Sequence, residues 1–415
     1  MRVAFLLNDL QLSGGVGVVV THARNLARDH GFDVTLVLVR EHAEPHWPYE
    51  QLEHLHVVTL AQARRERFDV AVSTWWETVY TLFLVPAERY ASFVQSLEDR
   101  FYPTWNPADR LGARIALDLP VAFITEAAWI AQTLAELRPE APVHLVRNGI
   151  DKEVFAPLAA PPEPGPGPLR VLVEGDPRSW FKGVGEAIHA VRAMSEPVAL
   201  TLVCPTREGL APEDAARAIG PLGQRELAEL YARTDVLLKL SRVEGMYGPP
   251  LEAFHMGATC VTTEVTGHDE YVRHGVNALV VDWDDERGTA RQLDLLARDR
   301  ALLGRLRRGA LQTARAWPGW EEASGPMATA LRAIAAAPAP DPYAHLPRLL
   351  ADVRAGIEAE RSLVHERRQL LHDARRWQRI NALPVLGPLL AARRKVRHRL
   401  ASARDRRHRA AVGGR

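Results

Sequence analysis

A chain of 415 residues, 47% apolar and 25% charged, buries ordinary globular cores in two or three domains, which excludes a disordered or fibrous protein. Its two cysteines, Cys204 and Cys260, each close an apolar run outside any metal-ligand or redox spacing and read as buried thiols of a reducing compartment. The net charge of +1 conceals an asymmetry, because from Leu346 onward 18 Arg and Lys stand against 6 Asp and Glu, leaving 34 against 45 before it. An acidic body with a basic tail points to a tail that meets something anionic.

Behind a single basic residue, Arg2, the apolar stretch 3–7 is broken at once by Asn8 and Asp9. It is too short for a signal peptide and reads as a first strand. No run approaches the ~18 apolar residues of a spanning helix, so a cytoplasmic protein, soluble or peripheral at the inner face of the plasma membrane, is expected. Short β-branched runs at 2–7, 33–40, 56–60, 69–73, 91–95, 121–125 and 143–147 alternate with helix-compatible stretches, the pattern of a parallel sheet. Residues 159–168 hold five prolines and two glycines and form a linker. Past it the pattern restarts, with strands expected at 169–174, 199–204, 236–240, 259–263 and 278–281.

The expected architecture is therefore α/β: one Rossmann-like domain over 1–158, the linker 159–168, a second Rossmann-like domain over 169–337, and a helical Arg-rich extension over 338–415. Two doubly wound domains leave a cleft between the carboxyl ends of their strands, where ligands bind. In the extension, Leu350, Val353, Ile357, Val364 and Leu371 recur at helical spacing, interrupted by Glu360 and Arg367, an amphipathic helix whose face suits a short coiled coil or packing on the body, of which packing is expected.

The stretch most telling for function is 241–257. It is the end of a strand, a loop bearing Gly245 and Gly248, and a helix whose first turn holds Pro249 and Pro250, where their missing N–H groups have no intrahelical partner anyway. A helix N-terminus entered through a glycine loop seats a diphosphate, since free N–H groups and the helix dipole both favour negative charge. Glu244 and Glu252 are odd for anion binding and suited to hydroxyls, one to those of a sugar and the other to those of a ribose. In isolation such a pair reads more readily as a capping carboxylate and a solvated helix residue.

Glu244 and Glu252, separated by seven residues and accompanied by Gly245, Gly248, Pro249 and Ala253, resemble the signature loop of the retaining glycosyltransferases of family 4, which have the two-domain GT-B fold and build bacterial polysaccharides and glycolipids. Further pieces lie in that family's order. Residues 148–155 resemble its interdomain segment, 229–236 its lead-in strand, and 267–277 its next loop and helix, so that the likeness spans roughly 1–335. The resemblance implies that Glu244 contacts the donor sugar's hydroxyls and Glu252 the ribose. It also implies that Gly245, Met246, Tyr247 and Gly248 lie against the diphosphate and sugar, and that the first domain faces the acceptor. Lys182, followed by Gly183, matches the family's lysine, and a fixed cation there stabilises charge developing on the leaving diphosphate. The family's arginine position holds Asp176, which leaves Arg178 as the nearest arginine. By the same resemblance Gly14 and Gly15, in the loop after the first strand, face the donor phosphates. Many relatives place a histidine where this chain has Gln95, a group that hydrogen-bonds but takes no proton at neutral pH.

Trp75, Trp76, Tyr80, Phe101, Tyr102 and Trp105 crowd the first domain, where aromatic faces suit sugar rings and core packing alike. Trp75, Trp76, Glu77 and Gln95 are the acceptor-side candidates. Asp282 and Asp284 flank Trp283 as a polar turn after a strand, and neither a metal site nor another cofactor is expected. Residues 380–392 are apolar and run into Arg393, Arg394, Lys395, Arg397 and Arg399, so 380–409 suit an anionic membrane surface, with no nucleic acid partner expected. The implied function is transfer of a hexose-type sugar from a nucleoside diphosphate sugar to a saccharide or lipid-linked acceptor. Asp176 and Gln95 motivate an alternative, a non-catalytic sugar-nucleotide-binding or scaffold subunit. A sugar-nucleotide epimerase is disfavoured, because the two-glutamate loop belongs to the transferases.

Overall fold

The computed structural model describes residues 1–40, 49, 52–103, 106–163, 165–338, 341 and 346–381. The chain divides into a compact unit, Met1–Leu349, and a second unit from Leu350 onward. Within the first unit, seven strands form one parallel sheet: β1 (Arg2–Leu7), β2 (Asp33–Leu38), β3 (His56–Thr59), β4 (Phe68–Ser73), β5 (Ala87–Val94), β6 (Ala122–Thr125) and β7 (Val143–Leu145). Five more form another: β8 (Leu169–Glu174), β9 (Val198–Val203), β10 (Val236–Lys239), β11 (Thr259–Thr263) and β12 (Ala278–Val281). The orders are β3-β2-β1-β4-β5-β6-β7 and β12-β11-β10-β8-β9. Both orders reverse at an interior pair, β1 with β4 and β8 with β10, so each sheet is doubly wound and has a switch point. Central strands such as β1, β10 and β11 are buried along nearly their whole length because helices cover both faces, which is why they read as continuous apolar runs.

Three expectations change. The helix after β1 begins at Gly14 itself, since Ser13 caps it by accepting from the Val16 N–H at 3.1 Å, so Gly14 and Gly15 form its first turn and not a loop ahead of it. Residues 229–232 belong to the helix Gln224–Ala232, and only Asp235, whose carboxylate is gripped by Arg170, leads into β10. The third concerns the helix that ends at Ala336. Helix Trp320–Ala336 crosses back to the first sheet, where Met327, Leu331 and Ile334 share a core with Val19, Ala23 and Val72. Burial of its apolar stripe outweighs sequence order.

The second unit is described only along helix Leu346–Asn381, which begins just ahead of it. Among the described residues, Leu350, Val353, Ile357, Val364 and Leu371 of this helix are exposed. Charged pairs along the helix, such as Arg354 with Glu358 at 3.0 Å, support it locally. The segment 382–409 and Trp105 lie outside the described residues, and only the backbone of 380–381 is described. Among the described residues no helix is long and apolar enough to cross a membrane.

Candidate active site in the cleft

The second sheet's switch point places Glu174, at the end of β8, beside Lys239, at the end of β10, with the Lys239 Nζ 2.5 Å from Glu174 Oε1. Burial works against the Lys239 ammonium, but Glu174 and Glu244 outweigh it and raise its pKa above the ordinary value. Tyr231 donates to the other Glu174 oxygen at 3.2 Å. Neither strand-end residue was singled out from sequence, where Lys239 reads as the polar end of an apolar run. The available signal was a lysine five residues ahead of Glu244, in a strand with both faces covered.

Glu244 is buried, and the Lys182 Nζ lies 2.9 Å from its Oε1 and 3.0 Å from its Oε2. Burial opposes the charged carboxylate, but Lys182 and Lys239 together hold its pKa below the usual range. Lys182 ends the single 3-10 turn Trp180–Lys182, which Gly183 closes at φ 63°. A Cβ on Gly183 would fall 2.0 Å from the Leu240 carbonyl oxygen, so only glycine lets this turn approach the end of β10 closely enough for the lysine to reach Glu244. Glu252 lies in helix Gly248–His255, where burial pushes its pKa up to about 8, Glu174 adding to the shift and Lys239 opposing it. Among the described residues its carboxyl has no hydrogen-bond partner.

The 244–248 loop meets the first domain directly. A Cβ on Gly245 would sit 1.7 Å from the Gln95 carbonyl oxygen, so glycine is required there for the domains to touch. Gln95, after β5, donates from Nε2 to the Gly15 carbonyl at 3.3 Å, which brings Gln95, Gly15 and Gly245 into one neighbourhood. Gly14 has open space around it. Met246 is buried, and Tyr247 is held by its ring and not by the cleft. That ring is fully buried, its hydroxyl donates to the Lys239 carbonyl at 2.9 Å, and it supports the loop from beneath. Gly248 opens the helix, with Pro249 and Pro250 in its first turn as expected.

Arg178 does not join Lys182 and Glu244. It is exposed and engaged by Asp176 at 2.8 Å, with Glu208 at 3.7 Å, so Arg178 and Asp176 neutralise each other. Glu77 is likewise occupied, accepting from Asn8 at 2.6 Å and Arg40 at 2.9 Å. Asp284 stands in a turn at φ 60° and pairs with Arg242.

Trp75 stacks on Phe101 with centroids 5.9 Å apart, and Phe101 on Phe181 of the second domain at 4.8 Å, one residue from Lys182. Trp76 donates from Nε1 to the Tyr102 hydroxyl at 2.8 Å. Beside these rings a pocket is lined by Trp75, Trp76, Val94, Ser96, Glu98 and Leu117. Its polar groups are uncharged or pushed that way. The Ser96 hydroxyl is buried without a partner among the described residues, and burial raises the Glu98 pKa well above the ordinary value while the Trp76 N–H donates to it at 2.6 Å.

Residues 170–299 match the family model described as glycosyl transferases group 1. Sucrose-phosphate synthase from Thermosynechococcus elongatus is similar in structure at 15% identity and a TM-score of 0.63, over 80% of this chain and 98% of that one. The fold is GT-B. HepE of Anabaena, solved with UDP and glucose, shares that GT-B architecture at 15% identity and a TM-score of 0.63, over 80% of this chain and 100% of that one. The lipopolysaccharide outer core galactosyltransferase WaaB, in its apo form, matches at 12% identity and a TM-score of 0.59, over 80% of this chain and 99% of that one. No curated protein sequence matches this one. The family match contains Lys182, Lys239, Glu244 and Glu252 but none of Gln95, Glu98 or Glu126, so within the GT-B frame it covers only the second domain's wall of the cleft.

Proposed function

We propose that the protein is a retaining glycosyltransferase that moves a hexose-type sugar from a nucleoside diphosphate sugar to a hydroxyl of a saccharide or lipid-linked acceptor, in building a cell-surface polysaccharide or glycolipid. The observation that carries this reading is the contact of the Lys182 ammonium with the Glu244 carboxylate at 2.9 and 3.0 Å, beside a glycine loop that opens a helix. An ammonium fixed there is placed to stabilise the leaving diphosphate, so the reading invokes no metal. Glu244, held ionised, accepts from sugar hydroxyls, and Glu252, without a protein partner among the described residues, accepts from the ribose.

Gln95 takes no proton at neutral pH. In the proposed step the bond from sugar C1 to the phosphate oxygen breaks, the acceptor oxygen bonds to C1 on the same face, and the acceptor's proton passes to the departing phosphate oxygen. The uncharged pocket beside Trp75 and Trp76 suits a neutral part of the acceptor. The basic segment from 380 onward is proposed to hold the protein at an anionic leaflet, at about 1 kcal/mol per basic side chain near the surface. Co-sedimentation of the full chain with anionic but not neutral vesicles checks that part.

One observation favours a second reading, a sugar-nucleotide-binding subunit without turnover: Arg178 is occupied by Asp176 and adds no free charge beside Lys182. Release of UDP from a panel of UDP-sugars, lost in Glu244→Ala and Lys182→Ala, supports the transferase. Tight binding of a UDP-sugar with no release supports the second reading.

A further inference from the structure

We infer that Glu126 is a positioning residue: from the first domain it fixes the 245–246 peptide of the second, and so sets where Glu244 stands in the closed cleft. Glu126 follows β6 and is 5% exposed. Its Oε1 accepts from the Met246 N–H at 3.0 Å, and its Oε2 accepts from Asn148 Nδ2 at 2.7 Å. Among the described residues it forms no ion pair, so its burial does not serve charge pairing. What it holds is a loop amide of the other domain.

The same peptide is gripped at two further points, both from the first domain. Trp129 donates from Nε1 to the Gly245 carbonyl at 3.1 Å, and the Gln95 carbonyl oxygen lies so close to the Gly245 Cα that no side chain fits between them. The N–H, the C=O and the Cα of one stretch of backbone are thus each located by a first-domain group, and Glu244 is the next residue along the chain. Second-domain contacts hold the loop elsewhere, through the Tyr247 ring beneath it and the Thr266 hydroxyl donating to the Glu244 carbonyl at 3.2 Å.

The Glu126 anchor continues inward. Asn148 comes from the interdomain segment. Beside it lies His22, fully buried, its pKa lowered to about 4 by burial against an opposing contact with the Asn148 side chain. The carboxyl is therefore backed by a column of uncharged polar groups and oriented by Asn148. A backbone amide recognised by a buried, oriented acceptor is positioned more sharply than one bonded to water.

The inference rests on the transferase reading in one respect, that Glu244 faces the donor sugar. Its test uses the full chain as wild type, Glu126→Ala and Glu126→Gln, with hydrogen exchange of the 241–250 amides in the free protein and steady-state hydrolysis of a UDP-sugar. In Glu126→Ala the loop amides exchange at least tenfold faster, and kcat falls at least tenfold while KM changes less than threefold. Glutamine keeps an oxygen acceptor in the same place and restores both readouts to within threefold of wild type. If Glu126→Ala does not fold, Asn148→Ala takes its place and accelerates loop exchange at least threefold. Unchanged loop exchange in the alanine variant, or a glutamine variant as defective as alanine, overturns the inference. A wild-type chain that releases no nucleoside diphosphate from any UDP-, GDP- or dTDP-sugar removes the transferase reading, and the exchange measurement then decides the inference by itself.

Discussion

On the second-domain wall of the cleft, charge is set against charge, Lys182 on Glu244 and Lys239 on Glu174, while Glu252 beside them is pushed toward its neutral form by burial. On the first-domain wall, Trp75, Phe101 and Trp76 present rings, and the two buried carboxyls, Glu98 and Glu126, are pushed toward their neutral forms by burial. The Glu126 carboxyl rises to about 7, against hydrogen bonds from Met246 and Asn148 that favour its charge. Paired carboxylates keep their charge in a dry site and unpaired ones surrender it. One wall is thereby suited to a charged, many-hydroxyl ligand and the other to an uncharged one.

The largest test of this contrast is stability. Lys239→Met leaves Glu174 without its buried partner and costs about 3–5 kcal/mol, read from the urea midpoint. The double variant Lys239→Met, Glu174→Leu recovers most of that loss, and a single variant as stable as wild type breaks the contrast. Next is turnover: Lys182→Ala lowers UDP-sugar hydrolysis about 10²–10³-fold, the size of removing one fixed charge-stabilising donor. Smaller is the effect of Glu252→Gln. Between pH ~4.5 and 8 native Glu252 holds a proton that the unfolded chain has lost, so wild-type stability falls as pH rises through that window. The glutamine variant escapes this, and its Tm advantage over wild type is ~2 °C or more larger at pH 8 than at pH 5. Smallest is Arg178→Ala, which shifts UDP affinity less than threefold by calorimetry because Asp176 already occupies the guanidinium. A tenfold loss would place Arg178 on the donor wall.

The charged wall was the more legible one. Glu244, Glu252 and Lys182 sit in a loop, a helix start and a glycine turn, local features that a short stretch of sequence displays by itself. β1, β8, β11 and β12 could be bounded to the residue, since parallel strands covered on both faces are uninterrupted apolar runs. Lys239, Glu174 and Glu126 were not legible, because their meaning depends on which strand ends neighbour each other and on how two domains meet. Tyr247 shows the converse: placed in a ligand loop by sequence, its ring turned inward because the loop needed support beneath it. The return of Trp320–Ala336 to the first domain likewise depends on which core lacks a cover, information that no local pattern carries.

On the proposed function, Lys182 and Glu244 act together on a nucleoside diphosphate sugar. The most direct test is a single-turnover assay of UDP release with wild type, Lys182→Ala, Glu244→Ala and the double variant. Wild type is predicted to release UDP from at least one UDP-sugar, each single variant about 10²–10³-fold more slowly, and the double variant no more slowly than the worse single. Full release by either single variant, or effects that multiply in the double as those of independent residues do, would contradict the claim.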